Sequence, residues 1–338
     1  MIEIIIATFN RIDKASKLAY SILDNEVNKR IKRIIIVDST DQNRPLSISD
    51  ERITYIETKH QNQPYQRYLG YCASKADYII FFDDDMEISN HELFEKSIEI
   101  FNRDEKIVAL AYNFADLYSN TSLAKIPRTN FSKRNKTRRK FINFLTGYPS
   151  PGLSGYGLCG TRGPRPSSDQ FTELIGGGAF AARRETLYKN FNFQLFDLYE
   201  NRLGKGEDGI LGYSLSKQGR LYFINEVFVV HNDQQNSVYT SNMRRFARRV
   251  AYSRLYLSLE KCRLDGSSLL IARVHYHYYM FWRLLGLFLN YLLNPSKERK
   301  EMLFGSINGW WLAVGFRFDK SLSRNEYWHN EAMKDLSK

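Results

Sequence analysis

Phe81–Ser89 reads FFDDDMEIS, three carboxylates in succession directly behind an apolar run. Two unit charges about 5 Å apart repel by roughly 3 kcal/mol at an effective dielectric of 20. Solvent, a basic partner or a metal ion must therefore make the arrangement tolerable. Capping of the helix expected next does not account for it, because Ser89 with Glu92 already forms a capping-box pattern. At a strand end, the D-x-D pair Asp83 and Asp85 can hold a divalent cation such as Mn²⁺ or Mg²⁺ with few protein ligands, substrate phosphates completing the shell.

Two further groups belong to the same chemistry. Glu207 and Asp208 follow Gly206 and open a helical pattern. The helix dipole alone favours acids there, but one of them held close to a reacting hydroxyl is also a general base. His231 ends the apolar run VFVV. A lone His at a strand end is more often structural, yet a neutral imidazole suits Mn²⁺ beside a carboxylate.

The elements that must position these groups are legible as alternating patterns. Ile2–Ala7, Ile34–Val37, Ile53–Ile56 and Tyr78–Phe82 are short runs rich in β-branched and aromatic residues. Leu18 and Ile22 lie at helical spacing between the first two, so the fold class expected is α/β with a mostly parallel sheet. Ligands of such sheets bind beyond the C-terminal strand ends, which puts Thr8–Arg11, Asp38–Asp41 and Asp83–Asp85 along one edge. Ile107–Phe114 reads as another strand, and LYFINEVFVVHND as two short ones. Residues 116–171 form a Gly-, Pro- and Ser-rich insertion with a basic cluster at Lys133–Lys140. Within it GYGLCG matches G-x-G-x-x-G, but no strand precedes it and no helical pattern follows, so a dinucleotide fingerprint is not indicated. The run Gly176–Gly178 suits either close backbone approach to a ligand or a tight turn.

From about residue 240 the pattern is helical and basic, then aromatic, which divides the chain into a catalytic domain, 1–240, and a helical region, 241–338. Tyr278–Leu293 is apolar but interrupted by Arg283 and Asn290, too short a run to span a bilayer. Packing on the catalytic domain and lying in an acidic membrane interface both suit it. With 49 Lys and Arg against 37 Asp and Glu, the net charge of +12 favours an anionic partner. Three scattered cysteines give no disulfide framework and no metal knuckle, as expected for a reducing cytosol. The opening MIEIIIATFNR reads as a strand and lacks the charged n-region of a signal peptide.

Taken in order, the segments resemble a family 2 glycosyltransferase with a GT-A (Rossmann-like) catalytic domain. IIIATFNR resembles the opening strand and nucleotide-binding turn, and IIIVDSTD the second strand. QRYLGYCASKADYIIFFDDD resembles the Arg-containing helix leading into the D-x-D, and IGGGAFAARRETL the acceptor-side segment. GEDGILGYSLSKQG resembles the base-bearing helix, VVHND the late His, and FGSINGWWLAVG the tail of bacterial polysaccharide rhamnosyl- and galactofuranosyl-type transferases.

The resemblance implies metal-dependent, inverting transfer from a UDP- or dTDP-type sugar donor to a hydroxyl of a glycan or polyprenyl-diphosphate-linked acceptor, in surface polysaccharide synthesis. Thr8, Phe9, Arg11, Asp38, Arg67, Asp83 and Asp84 would bind the nucleotide, with Phe9 stacking on the base. Asp85, Asp83 and His231 would hold the cation. Asp208 would be the base, with Glu207 raising its pKa or orienting it, and Gly176, Gly177 and Gly178 would line the acceptor side. The protein would be cytoplasmic, peripheral on the inner face of an acidic membrane, and would bind no nucleic acid. A metal-dependent phosphohydrolase and a nucleic-acid-binding protein are the alternatives from other classes.

Overall fold

The structure is a computed structural model that describes residues 1–24, 30–40, 50–116, 155–163, 166–231, 242–317 and 322–338. Its strands are β1 (Ile2–Thr8), β2 (Ile31–Asp38), β3 (Ile53–Glu57), β4 (Tyr78–Asp83), β5 (Met86–Ile88), β6 (Ile107–Asp116), β7 (Gln170–Thr172), β8 (Ala179–Arg183) and β9 (Arg220–His231). They form one sheet in the order β3-β2-β1-β4-β8-β6-β9-β5, with β7 also on β9. β1, β2, β3, β4, β6 and β9 run in one direction, and β5, β7 and β8 oppose them. The sheet is therefore mostly parallel, and one edge collects the C-terminal ends Thr8, Asp38, Asp83 and His231.

The helices of the sheet domain are α1 (Ile12–Leu23), α2 (Gln63–Ala73), α3 (Glu92–Arg103), the short α4 (Arg184–Leu187), α5 (Phe193–Glu200) and α6 (Glu207–Ser216). All seven residues of β1 are buried, as its nearly uninterrupted isoleucines require of a central strand covered on both faces. Side-chain alternation splits it between two cores. Ile4 and Ile6 pack with Leu18 of α1 and Phe94 of α3, whereas Ile5 packs with Tyr68 and Leu69 of α2.

Two local expectations are corrected. Ser89 and Glu92 form no capping box: His91 is the N-cap of α3 without a side-chain bond, and Asn90 Oδ1 accepts from the Glu92 amide at 2.9 Å. Ser89 is used elsewhere, its amide donating to the Phe228 carbonyl at 2.9 Å. β9 is one strand of 12 residues rather than two short ones. A bulge takes up the polar interruption, since Tyr112 pairs with Ile224 but Asn113 with Val227.

Beyond residue 240 come α7 (Met243–Leu264), α8 (Leu269–Leu293), α9 (Lys297–Val314) and α10 (Leu322–Leu336). α7, α8 and α9 share a core that includes Ala251, Leu255, Tyr276 and Ala313. In FGSINGWW, a Cβ on Gly305 or Gly309 would meet the Arg244 or Arg248 carbonyl at 2.2 or 2.4 Å, so both glycines serve the close crossing of α9 on α7. α10 returns to the sheet domain, burying Trp328 in the core beneath α2 and bonding its indole nitrogen to Asp197 Oδ1 at 2.8 Å. Among the described residues, no helix is long and apolar enough to cross a membrane.

Candidate active site

Parallel pairing of β1 with β2 and β4 sets Thr8 opposite Asp38 and Ala7 opposite Asp83. The acidic turn after β4 is therefore held against the turn after β1. Thr8 Oγ1 donates to Asp84 Oδ2 at 2.7 Å. Arg11 grips two carboxylates, with Nη2 2.6 Å from Asp84 Oδ1 and Nη1 3.2 Å from Asp85 Oδ2. Burial pushes the Asp84 carboxyl up to about 7 against the opposing pull of Arg11 and Thr8. For Asp85 the balance is reversed: burial raises it, but the hydrogen bond with His231 and the charge of Arg11 hold it below its ordinary value.

Asp38 Oδ1 accepts from the Thr40 amide at 2.9 Å and Oδ2 from Tyr55 Oη at 2.9 Å, which fixes the carboxylate at the strand end. Phe9 beside it is 38% exposed, leaving a ring face open at this edge. Gln66 fastens the two turns, its Nε2 donating to the Thr8 and Val37 carbonyls at 2.7 and 2.9 Å. Asp41 lies outside the described residues, as does Lys133–Lys140.

Arg67 is buried behind this edge and links it to the second acidic group. Its Nη2 donates to Asp83 Oδ1 at 2.8 Å and to the Gly177 carbonyl, while Nη1 lies 3.5 Å from Glu207 Oε1. Gln63 Nε2 also donates to Asp83 Oδ1, at 2.7 Å. Just before β8 the backbone runs close to neighbouring side chains: a Cβ on Gly177 would stand 3.0 Å from Asp208 Oδ2 and one on Gly178 only 1.8 Å from Met86 Cε. The space left by Gly178 is thus filled by the protein itself, and Gly176 abuts Phe114 in the same way.

Glu207 and Asp208 open α6 after Gly206, which takes the left-handed conformation at φ 91°. Glu207 accepts from Tyr199 Oη, and Asp208 accepts from Arg162 Nη2. Of the two roles expected for Glu207, a raised Asp208 pKa is not the net outcome, and orienting Asp208 stays a proposal. Burial opposes ionisation of Asp208, but the charge and hydrogen bond of Arg162 override it and hold the carboxyl well below its usual range. Glu207 is the member pushed up, by burial first and then by the neighbouring Asp208 charge.

Among the described residues, no group of three or more His, Cys, Asp or Glu side chains is arranged to hold a metal ion. The D-x-D carboxylates have separate partners: Asp83 sits with Arg67 and Gln63, while His231 Nε2 is 3.5 Å from Asp85 Oδ2. Asp85 Oδ1 is buried without a hydrogen-bond partner. An orphaned carboxylate oxygen beside an imidazole is a donor set suited to Mn²⁺ or Mg²⁺ when diphosphate and water supply the other ligands.

A cavity of about 320 Å³ joins the acidic groups, lined by Asp83, Glu207 and Asp208 and by residues that sequence patterns did not single out for the site. Among these are Gln63, Tyr156, Arg162 and Lys205, joined by Arg254 from the basic run Arg244–Arg254, which the sequence reading sets against acceptor phosphates. Arg162 and Tyr156 come from the GYGLCG loop, which closes on itself through the Gly163 amide and Gly155 carbonyl at 2.9 Å. The loop contributes to the cavity through the side chains of Tyr156 and Arg162. Its local signal is the turn-forming glycines with Arg162 two residues after the last of them.

Residues 3–157 match the family described as glycosyl transferase family 2. No curated protein sequence matches the chain. Among solved structures it is similar to the mannosyltransferase PcManGT from Pyrobaculum calidifontis in complex with GDP-Man and Mn²⁺, with 14% identity over 99% of this chain and 86% of that one and a TM-score of 0.50. It is also similar to S. aureus TarS 1-349, with 14% identity, 99% and 88% coverage and a TM-score of 0.49. At such identity, the likeness to PcManGT speaks for the shared fold.

Proposed function

We propose that the chain, which has the GT-A fold and matches the glycosyl transferase family 2 model over residues 3–157, is a cation-assisted, inverting family 2 glycosyltransferase acting on a glycan or lipid-linked glycan in polysaccharide assembly. The observation that carries this reading is the meeting of two acidic groups in one cavity. Asp83 stands at the strand edge and Glu207–Asp208 at the start of α6, with Arg67 bonded to the first and ion-paired to the second. A transferase needs this pairing, a place for the leaving diphosphate next to a base for the incoming hydroxyl.

The donor is a nucleotide-diphospho-sugar, the class named in the PcManGT complex. Phe9 offers a stacking face for the base, and Thr8 and Asp38 offer polar contacts at the same edge. Arg11 and Arg67 face the diphosphate. Asp85 and His231 are the residues that would hold a divalent cation, which when bound neutralises charge building on the leaving group. Asp208 takes the proton from the acceptor hydroxyl, and attack from the face opposite the leaving group inverts the anomeric centre. Gly177 brings the backbone close to Asp208 on the acceptor side, where a Cβ would stand 3.0 Å from its Oδ2.

The protein works at the inner face of an acidic membrane. α8 exposes Val274, Tyr278, Phe281, Leu285, Phe288 and Leu292, whose spacing of four and three residues makes one stripe along the helix. The net charge of +12 complements an anionic lipid surface.

Titration with UDP, dTDP and GDP by calorimetry, with and without Mn²⁺, tests the donor site. One nucleotide should bind in a cation-dependent way, and Asp85→Asn should abolish the cation dependence. Absence of binding by every nucleotide, with Mn²⁺ or with Mg²⁺ in its place, would sink the proposal.

A further inference from the structure

The cavity beside Asp208 holds more cationic side chains than deprotonation of a neutral hydroxyl requires. Arg162 comes from the loop before β7, Lys205 from the turn before α6, and Arg254 from the middle of α7. Arg254 Nη1 donates to the Cys159 carbonyl at 2.6 Å, which anchors the guanidinium at the rim of the loop. Lys205 is held below the ordinary ammonium pKa by burial first and by Arg249, Arg162 and Arg254 in turn, against the favourable charge of Asp208. Positive charge is thus crowded into one place by three separate segments. Tyr156 adds an independent sign of a polar ligand. It is 4% exposed, lines the same cavity, and its hydroxyl has no hydrogen-bond partner. A buried hydroxyl left unpaired is unfavourable, and a ligand oxygen would relieve it.

We propose that this cavity binds a phosphoryl group of the acceptor through Arg162, Lys205, Arg254 and the Tyr156 hydroxyl. The proposal rests on the transferase reading and names the chemical class of the substrate that reads out this end of the site. It also gives the Arg162–Asp208 pair a purpose. A phosphate competes for the Arg162 guanidinium, and as that contact is shared the carboxylate regains basicity for the neighbouring acceptor hydroxyl. Without acceptor, Asp208 stays clamped and the donor is protected from proton abstraction at water.

The test uses the full chain saturated with the nucleoside diphosphate and cation that bind it, so that added phosphate cannot occupy the donor site. Glycerol 3-phosphate is titrated as a soluble phosphomonoester, and phosphatidylcholine vesicles are compared with and without polyprenyl phosphate. At least one probe should bind in a phosphate-dependent manner. Lys205→Gln and Arg254→Gln should each weaken that binding about tenfold or more, and Tyr156→Phe by a smaller factor. Nucleotide affinity should stay as in the unaltered protein in all three variants, which also reports that they fold. A response to glycerol 3-phosphate assigns the site to a phosphate-bearing glycan, and a response to the vesicles alone assigns it to a lipid-linked phosphate. Nucleotide binding with no response to either probe, or with responses unchanged by both cation substitutions, overturns the proposal and leaves the transferase standing. No nucleotide binding at all removes both.

Discussion

Arg67 Nη2 lies 2.8 Å from Asp83 Oδ1, and both groups belong to elements that converge only through the sheet: α2 above it and the end of β4 within it. Arg67 is 3% exposed and its Nε lacks a hydrogen-bond partner, so the guanidinium has capacity for one more acceptor. Removing one member of a buried pair strands the other, at a cost of about 3–5 kcal/mol. Arg67→Ala should therefore lower the melting midpoint and weaken nucleoside diphosphate binding together. Arg67→Lys should recover part of the stability but less of the binding, because an ammonium cannot bridge Asp83, Gly177 and a phosphate at once. Calorimetry and thermal melting of the two variants check this, and equal recovery of both properties would contradict it.

Asp208 and Arg162 make a prediction about rate rather than stability. Loss of a general base lowers turnover by about 10²–10⁴-fold, so Asp208→Asn should lose turnover on that scale while still binding nucleotide. Arg162 overrides burial to keep the Asp208 carboxyl low. Arg162→Gln removes that charge, the Asp208 pKa rises, and the acidic limb of kcat/KM, which reports the free enzyme, should move to higher pH. An acidic limb that stays in place would show that Asp208 is not the titrating base.

The strand edge was legible in the sequence because every residue on it follows a run of apolar residues whose burial is obligatory. Ile2–Ala7 and Tyr78–Phe82 could only be central strands, and parallel pairing then brings Thr8, Asp38 and Asp83 level. Ser89 departs from its capping pattern because strand pairing outcompetes helix capping: its amide is bonded to β9. Arg162 was invisible for a different reason. It meets Asp208 across 46 residues of sequence, through a loop whose glycines resemble another motif. The return of α10 is equally non-local, with Trp328 reaching Asp197 across 131 residues. Helical periodicity gives such a helix its apolar face but not the surface that receives it.

That returning helix carries a pH dependence. His60 is buried with Nδ1 3.0 Å from Glu200 Oε1 on α5 and Nε2 3.5 Å from Glu331 Oε2 on α10. Burial disfavours the imidazolium, but the Glu200 bond and charge, with Glu331, raise its pKa above the ordinary 6.5. A pKa raised on folding means tighter proton binding in the folded state. The stabilisation is complete below pH 6.5 and is lost as pH rises through the higher folded value. The melting midpoint should therefore fall across that window, with amide exchange on α10 rising first, and His60→Gln should flatten the response. A midpoint that rises over the same window would reverse the assignment.

The stripe on α8 has the opposite problem, since among the described residues no element covers its apolar side chains. Phe281 and Phe288 are 57% and 46% exposed, and on the adjoining α9 Trp311 is 75% exposed. A helix of 25 residues is about 37 Å long at 1.5 Å per residue, enough for the stripe to lie along a bilayer surface. Arg283 within α8, and Lys297, Arg299 and Lys300 opening α9, are the cations that would meet lipid phosphates on the proposed membrane face. Burying a Phe side chain is worth about 1.5–3 kcal/mol, so the double substitution Phe281→Asp with Phe288→Asp should reduce vesicle partitioning by about two orders of magnitude or more. The protein should sediment with phosphatidylglycerol vesicles and less with phosphatidylcholine ones, whereas the double variant should stay in the supernatant with its melting midpoint unchanged, because neither ring is part of a core. A second copy of the chain is the other occupant that such a stripe could receive. Ultracentrifugation separates the two: a dimer split by the same substitutions, with no vesicle binding by the parent protein, would make the stripe a self-association surface instead.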